Sequence, residues 1–120
     1  MEFFEAPPFT KHLAAYLDDL EYAAFQQFLA ENPEAGDIIA GTGGFRKLRW
    51  ADERRRKGKR GGLRVIYYFL SGDQQIWLFT LYGKDEADDL TGVQRKQLRA
   101  AIEHELSARR DARNRLGRRR

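Results

Sequence analysis

Residues 61–70 read Gly-Gly-Leu-Arg-Val-Ile-Tyr-Tyr-Phe-Leu, and this stretch decides the fold. Two glycines open it, and six uninterrupted apolar residues, Val65 to Leu70, follow one charge at Arg64. Its β-branched and aromatic side chains suit a pleated, half-buried surface, so the segment is a strand. Ser71-Gly72-Asp73 is a turn signal, and Ile76 to Tyr82 is the next strand. Upstream, Gly41-Thr42-Gly43-Gly44 is a flexible lead into Phe45-Arg46-Lys47-Leu48-Arg49-Trp50, whose mixed polar and apolar residues fall at strand-like spacing. Three consecutive strands predict an antiparallel meander.

Working outward, Phe3-Phe4-Glu5-Ala6 is a short opening strand stopped by Pro7-Pro8, which cannot continue a ladder. Thr10 can cap a short helix to about Leu17, with Leu13, Ala14 and Leu17 on one face. Asp18 and Asp19 can cap a second, whose apolar face comprises Leu20, Ala23, Ala24, Phe28 and the Phe25/Leu29 pair. Asn32-Pro33 ends it. Thr91 can cap a last helix carrying Val93, Leu98, Ala101, Ile102 and Leu106, and the chain beyond about Ala112 is expected to fray. The order predicts an α+β domain: a small twisted antiparallel sheet, made of the short N-terminal strand and the meander, with two N-terminal helices and one C-terminal helix. The 120 residues suffice for one such domain over 1–112, leaving 113–120 as an Arg-rich tail.

Composition narrows the function. With no cysteine there is no disulfide framework, thiolate metal site or cysteine nucleophile, which fits a reducing cytoplasm. The six-residue apolar run is far short of the ~20 residues a membrane helix needs. Met1-Glu2-Phe3-Phe4-Glu5 lacks the basic-then-apolar layout of a signal peptide. A cytoplasmic protein without membrane contact is expected.

The net charge of +4 hides a segregation. From Arg46 to Arg64 ten basic residues face only Asp52 and Glu53, a balance of +8. From Arg109 to Arg120 seven arginines face only Asp111, a balance of +6, which leaves −10 for the rest. Concentrated positive patches on an acidic body attract polyanions, of which nucleic acid is the commonest in a cytoplasm. Residues 52–62 connect two neighbouring strands through eleven residues, where hairpin loops usually take about 2–5. Six of them, Arg54, Arg55, Arg56, Lys57, Lys59 and Arg60, are cationic, so the connection is expected to touch a partner and to contribute little to the core.

Most catalytic templates fail. His12 and His104, the two histidines, fall in helices with no second ligand at metal spacing. Asp85-Glu86-Asp88-Asp89 lies just before Thr91, where acidic side chains meet the positive end of a helix dipole, and no metal site is expected there. The glycine-rich Gly41–Gly44 stretch lacks the Lys-Ser or Lys-Thr pair of a P-loop. What remains is cationic. Alternation puts Leu48 and Trp50 on one strand face and Lys47 and Arg49 on the other, while Arg46 falls on the Leu48 face and Phe45 on the Lys47 face, near the strand edge. Three strands can bring Lys47, Arg49, Arg64 and Lys84 towards one surface. Clustered cations bind phosphate and depress the pKa of a lysine among them, which can then act as a general base on a ribose hydroxyl. A phosphate-binding face without catalysis satisfies the same spacing.

Gly41 to Trp50, followed by Gly61-Gly62-Leu63-Arg64-Val65-Ile66-Tyr67-Tyr68 and by Leu81-Tyr82-Gly83-Lys84-Asp85-Glu86 with Asp89-Leu90-Thr91, closely resembles the bacterial RelE/HigB toxins of toxin–antitoxin systems, in their HigB-type branch. The resemblance spans nearly the whole chain up to the arginines beyond about Arg109. It implies a RelE-like fold and ribosome-dependent cleavage of messenger RNA by 2′-hydroxyl attack, without metal or other cofactor. It further implies a neutralising antitoxin with a helix-turn-helix domain, through which alone operator DNA would be reached. Carried over by position, Lys47 or Arg49 is the candidate general base, Arg64 the transition-state stabiliser and Lys84 the group on the leaving oxygen or phosphate. Arg46 and the loop cations would contact RNA or ribosome, and Tyr68 could stack on a base or pack in the core. The chain departs from some relatives in having Asp85 and Glu86, not a second basic residue, after Lys84, and no tyrosine beyond Tyr82. The superfamily also includes ParE-type inhibitors of DNA gyrase that cut no RNA, and a non-catalytic RNA-binding member is a further alternative.

Overall fold

In the computed structural model, residues 1–51, 62–83 and 90–118 are described. The elements run β1 (Glu2–Glu5), α1 (Pro7–Tyr16), α2 (Asp19–Glu31), β2 (Asp37–Ile38), β3 (Arg46–Trp50), β4 (Leu63–Leu70), β5 (Gln75–Gly83) and α3 (Gly92–Arg118). One five-stranded sheet has the order β1-β5-β4-β3-β2. The α+β class and the β3–β4–β5 meander agree with the sequence reading. Two details differ. The sheet is mixed, because β1 lies parallel to β5 with Glu2 opposite Gln75, where an antiparallel strand was expected. A further strand, β2, pairs antiparallel with β3; at two residues it is too short to show a period.

The chain divides into two compact units, Met1–Ile39 with Phe45–Asp89, and Ala40–Gly44 with Leu90–Arg120. In the first, α1 and α2 cover one sheet face. Phe9, Tyr16, Leu17, Phe25 and Leu29 meet Leu48, Leu63, Val65, Tyr67, Ile76, Leu78 and Leu81 in a single buried cluster. Trp50 seals the β3 end, its ring 5.2 Å from Phe25 and 5.3 Å from Phe28. A β-bulge lets Leu78 and Leu81 both join this core: Ile66 pairs with Thr80 but Tyr67 with Leu78, leaving Phe79 as the extra residue.

The helix starts show which local signals decide. Pro7 and Pro8 stop β1 and also open α1, because proline is pre-organised for the first helical turn and its missing N–H is not needed there. The helix therefore begins three residues before Thr10, whose hydroxyl donates to Glu5 Oε1 at 2.7 Å. Tyr22 donates to the other Glu5 oxygen at 2.8 Å, so one carboxylate joins β1, α1 and α2. Burial first, then this hydrogen bond and the Glu5 charge, push the Tyr22 phenol well above its ordinary pKa. Asp18 and Glu21 form a complete capping box on α2. Of the apolar face expected there, Phe25 and Leu29 are buried and Phe28 half-buried, but Leu20, Ala23 and Ala24 are exposed.

Tyr67 fastens the connection after α2. Its hydroxyl donates to the Pro33 carbonyl and accepts from the Gly36 amide, both at 2.9 Å. Gly36 sits so close to that ring that a Cβ would lie 2.9 Å from it. In the second unit, Thr91 caps α3 as expected, and with Gln94 it forms a capping box, the Gln94 amide on Thr91 Oγ1 at 3.1 Å and the Thr91 amide on Gln94 Oε1 at 2.8 Å. The glycine-rich segment is a defined turn and not the flexible lead expected of it. Gly41, Gly43 and Gly44 have φ of +78°, +77° and +115°, and Thr42 is fully buried. Helix α3 passes Ala112 unbroken to Arg118, where fraying was expected. Among the described residues no helix is long and apolar enough to cross a membrane.

Two substitutions test these constraints. Tyr67→Phe strands the buried Gly36 amide and should cost about 1–3 kcal/mol in denaturant titration. Gly43→Ala should cost about 1–2 kcal/mol for an L-residue at positive φ, with its Cβ 3.1 Å from Ile102 Cγ2. An unchanged midpoint in either variant would remove that constraint.

Candidate nucleic-acid interface

Strand β3 carries the decisive alternation. Leu48 and Trp50 point into the α1/α2 core, so Lys47 and Arg49 occupy the opposite face. On β4 the same pleat sends Leu63, Val65 and Tyr67 to the core and Arg64, Ile66 and Tyr68 the other way. The register places Arg49 directly opposite Arg64, and Arg64 opposite Tyr82 on β5. Arg49, Arg64 and Tyr82 thus form one row across three adjacent strands, with neighbouring backbones about 4.8 Å apart.

Arg49 is exposed and Arg64 only 5% exposed. Arg64 Nη1 makes long contacts of 3.4 Å to the carbonyls of Gly62 and Leu63, at the entry of its own strand. Burial, then the neighbouring Arg49 charge, lower the Arg64 pKa, while Tyr82 acts in the opposite sense. An arginine starts so far above neutrality that it keeps its charge. A cation thus stands in a buried position beside a like charge on the neighbouring strand.

Lys47 pairs with Ile66 on one side and with Asp37 of β2 on the other. The like-charge surround expected for this lysine is therefore missing on its β2 side, where a carboxylate stands. Arg46 lies on the core-side phase of β3, away from Lys47 and Arg49. Its Nη1 donates to the carbonyls of Glu34 at 3.2 Å and Gly36 at 2.8 Å, holding the connection that Tyr67 also holds. Tyr68 is half-buried on the same face as Arg64, its ring 5.2 Å from Phe45. Phe45, 4% exposed, also meets Phe79 at 6.0 Å, so Tyr68 packs at the edge of an aromatic group. Lys84 and the cations Arg54, Arg55, Arg56, Lys57, Lys59 and Arg60 lie outside the described residues.

The structure therefore brings together Lys47, Arg49 and Arg64, and adds Tyr82, a residue the sequence reading did not place at the site. Counting by twos from Ile76 assigns Tyr82 to the core face with Leu78. The bulge at Phe79 reverses the phase, sending Leu81 inward and Tyr82 to Arg64. No protein-family model matches the chain.

Like charges directly opposed on a sheet destabilise it. Arg49→Gln should therefore raise stability at low salt by about 0.2–0.5 kcal/mol, discounted for the exposure of Arg49. The gain should shrink as the screening length falls from about 30 Å at 0.01 M salt to about 3 Å at 1 M. Denaturation at several salt concentrations reads this out, and a loss of stability would mean that attraction holds Arg49 in place.

Proposed function

We propose that this chain is a RelE/HigB-type toxin, an endoribonuclease that cuts messenger RNA on the ribosome by internal attack of a 2′-hydroxyl. The observation that carries the reading is the direct opposition of Arg49 and Arg64 on the sheet face turned away from α1 and α2. Two arginines directly opposite each other on neighbouring strands suit a phosphodiester, because each guanidinium offers several donors in a planar fork. They suit it best when charge accumulates on the phosphoryl oxygens, as it does in the transition state. The sequence resemblance to the toxins supports the same assignment, and implies the partner antitoxin described above.

In the mechanism proposed, Lys47, on the same sheet face as Arg49, accepts the 2′-hydroxyl proton. The 2′-oxygen bonds to its adjacent phosphorus, and the bond from phosphorus to the 5′-oxygen breaks. A 2′,3′-cyclic phosphate and a 5′-hydroxyl result, the departing oxygen taking up a proton. Arg49 and Arg64 hold the phosphoryl oxygens throughout. A ribosome that presents the strand in line would supply orientation worth up to roughly 7–11 kcal/mol.

Primer extension on messenger RNA with translating ribosomes and purified protein tests this, beside ribosome-free lanes. Arg64→Ala should lower cleavage by roughly 10²–10³-fold, the effect of losing one oxyanion donor. Because Arg64 is buried, circular dichroism must show a folded variant, and exposed Arg49→Ala serves as the second probe. Activity within a few-fold of the parent in both variants removes the pair from the site. Intact RNA in every lane overturns the nuclease and directs attention to gyrase inhibition.

A further inference from the structure

Helix α3 has 27 residues, yet among those whose burial is described the last buried one is Ile102, sixteen positions before its end at Arg118. At 1.5 Å per residue, about 24 Å of helix lies beyond that point. Leu98, Ile102 and Leu106 form its apolar stripe, buried, buried and half-buried. Continued at three- and four-residue steps, the same stripe runs through Arg109, Arg113 and Leu116. The face that is apolar in the first half of the helix is thus largely cationic in the second. Arg110, Arg113 and Arg115 are exposed, as is Leu116 at 64%.

A helix built simply for solubility would mix signs. Glu103 and Glu105 do so further up, pairing with Arg99 at 3.0 Å and Arg109 at 2.9 Å. Beyond them Asp111 is the one acid, and Arg109/Arg113 and Arg110/Arg113 stand at like-charge spacings that weaken a helix. The helix dipole rewards cations only within about the last turn. That accounts for Arg115, but not for Arg110 and Arg113, eight and five residues before the end. Every cation from Arg109 onward is arginine and none is lysine, the choice that favours forked, bidentate contact with phosphate over simple point charge.

We propose that the distal half of α3, from Arg109 onward, is a separate binding arm for the phosphate backbone of folded, double-stranded RNA. Arg110, Arg113 and Arg115 are its contact residues, and the bound phosphates relieve the like-charge repulsion along the arm. The arm itself follows from α3 alone. The choice of RNA over DNA rests on the nuclease reading above.

Anisotropy titrations of a fluorescent RNA hairpin at several salt concentrations test this with the full chain, without any cleavage readout. Replacing Arg110, Arg113 and Arg115 together by glutamine should weaken binding tenfold or more at low salt. It should also reduce the steepness of log K against log salt by roughly 2–3, at about 0.9 for each duplex phosphate no longer neutralised. The corresponding lysine triple should keep the salt slope and lose part of the affinity. Circular dichroism establishes that both variants retain the helix. Affinity and slope unchanged in the glutamine triple would overturn the arm, as would a loss seen only on Arg49→Gln. Equal or tighter binding of a DNA hairpin, or of polyglutamate at matched charge, would overturn the assignment to RNA. If messenger RNA is never cut while the glutamine triple still loses hairpin binding, the nuclease reading fails and the arm stands.

Discussion

Arg64 and Val65 are adjacent in sequence and face opposite sides of β4, the strand at the centre of the sheet, with neighbours on both edges. The rest of the molecule depends on that pleat being held in one register. A slip of one residue would drive the Arg64 guanidinium into the α1/α2 core and turn Val65 and Tyr67 outward. Eight residues of pairing to β5, five to β3 and the Tyr67 hydroxyl on Pro33 and Gly36 all oppose such a slip. The apolar half of β4 therefore does more than bury surface. It positions a cation where burial alone would disfavour one.

Arginine takes three distinct roles along this chain. Arg46 satisfies backbone carbonyls and so fixes a connection. Arg109 neutralises a glutamate one turn back. Arg49 and Arg64 face each other, an arrangement that works against stability. Charge counts do not separate these cases, since each arginine adds one positive charge to its local balance. The partner opposite each guanidinium does.

Much of this was legible in the sequence, for physical reasons that can be named. The meander follows from β-branched and aromatic runs set off by glycines, and the starts of α2 and α3 follow from the capping residues Asp18 and Thr91. The Lys47/Arg49 face follows from strict alternation against Leu48 and Trp50. Alternation also put Arg46 with Leu48, so its charge counted towards a binding surface while its phase pointed elsewhere. Three features were not legible. Pro7-Pro8 fits both the end of a strand and the start of a helix. The direction of β1 depends on where the chain returns, which no local pattern records. Tyr82 was hidden because one extra residue at Phe79 inverts a period counted from Ile76.

The parallel pairing of β1 with β5 has a consequence in time. Glu2 lies opposite Gln75, so the first strand leaves the synthesising ribosome 73 residues ahead of the strand it pairs with. At about 5–20 residues per second, that interval is about 4–15 s. Until β5 emerges, Phe3 and Phe4 have no ladder to join, and α1, whose first turn is anchored by the Ala6 amide on the Leu78 carbonyl, has no sheet to lie on. The unit closes by joining its earliest segment to its latest strand, a high-separation contact of the kind that slows folding. A nascent chain interrupted before Gln75 thus contains both N-terminal helices in sequence, yet lacks the surface that makes them part of a domain.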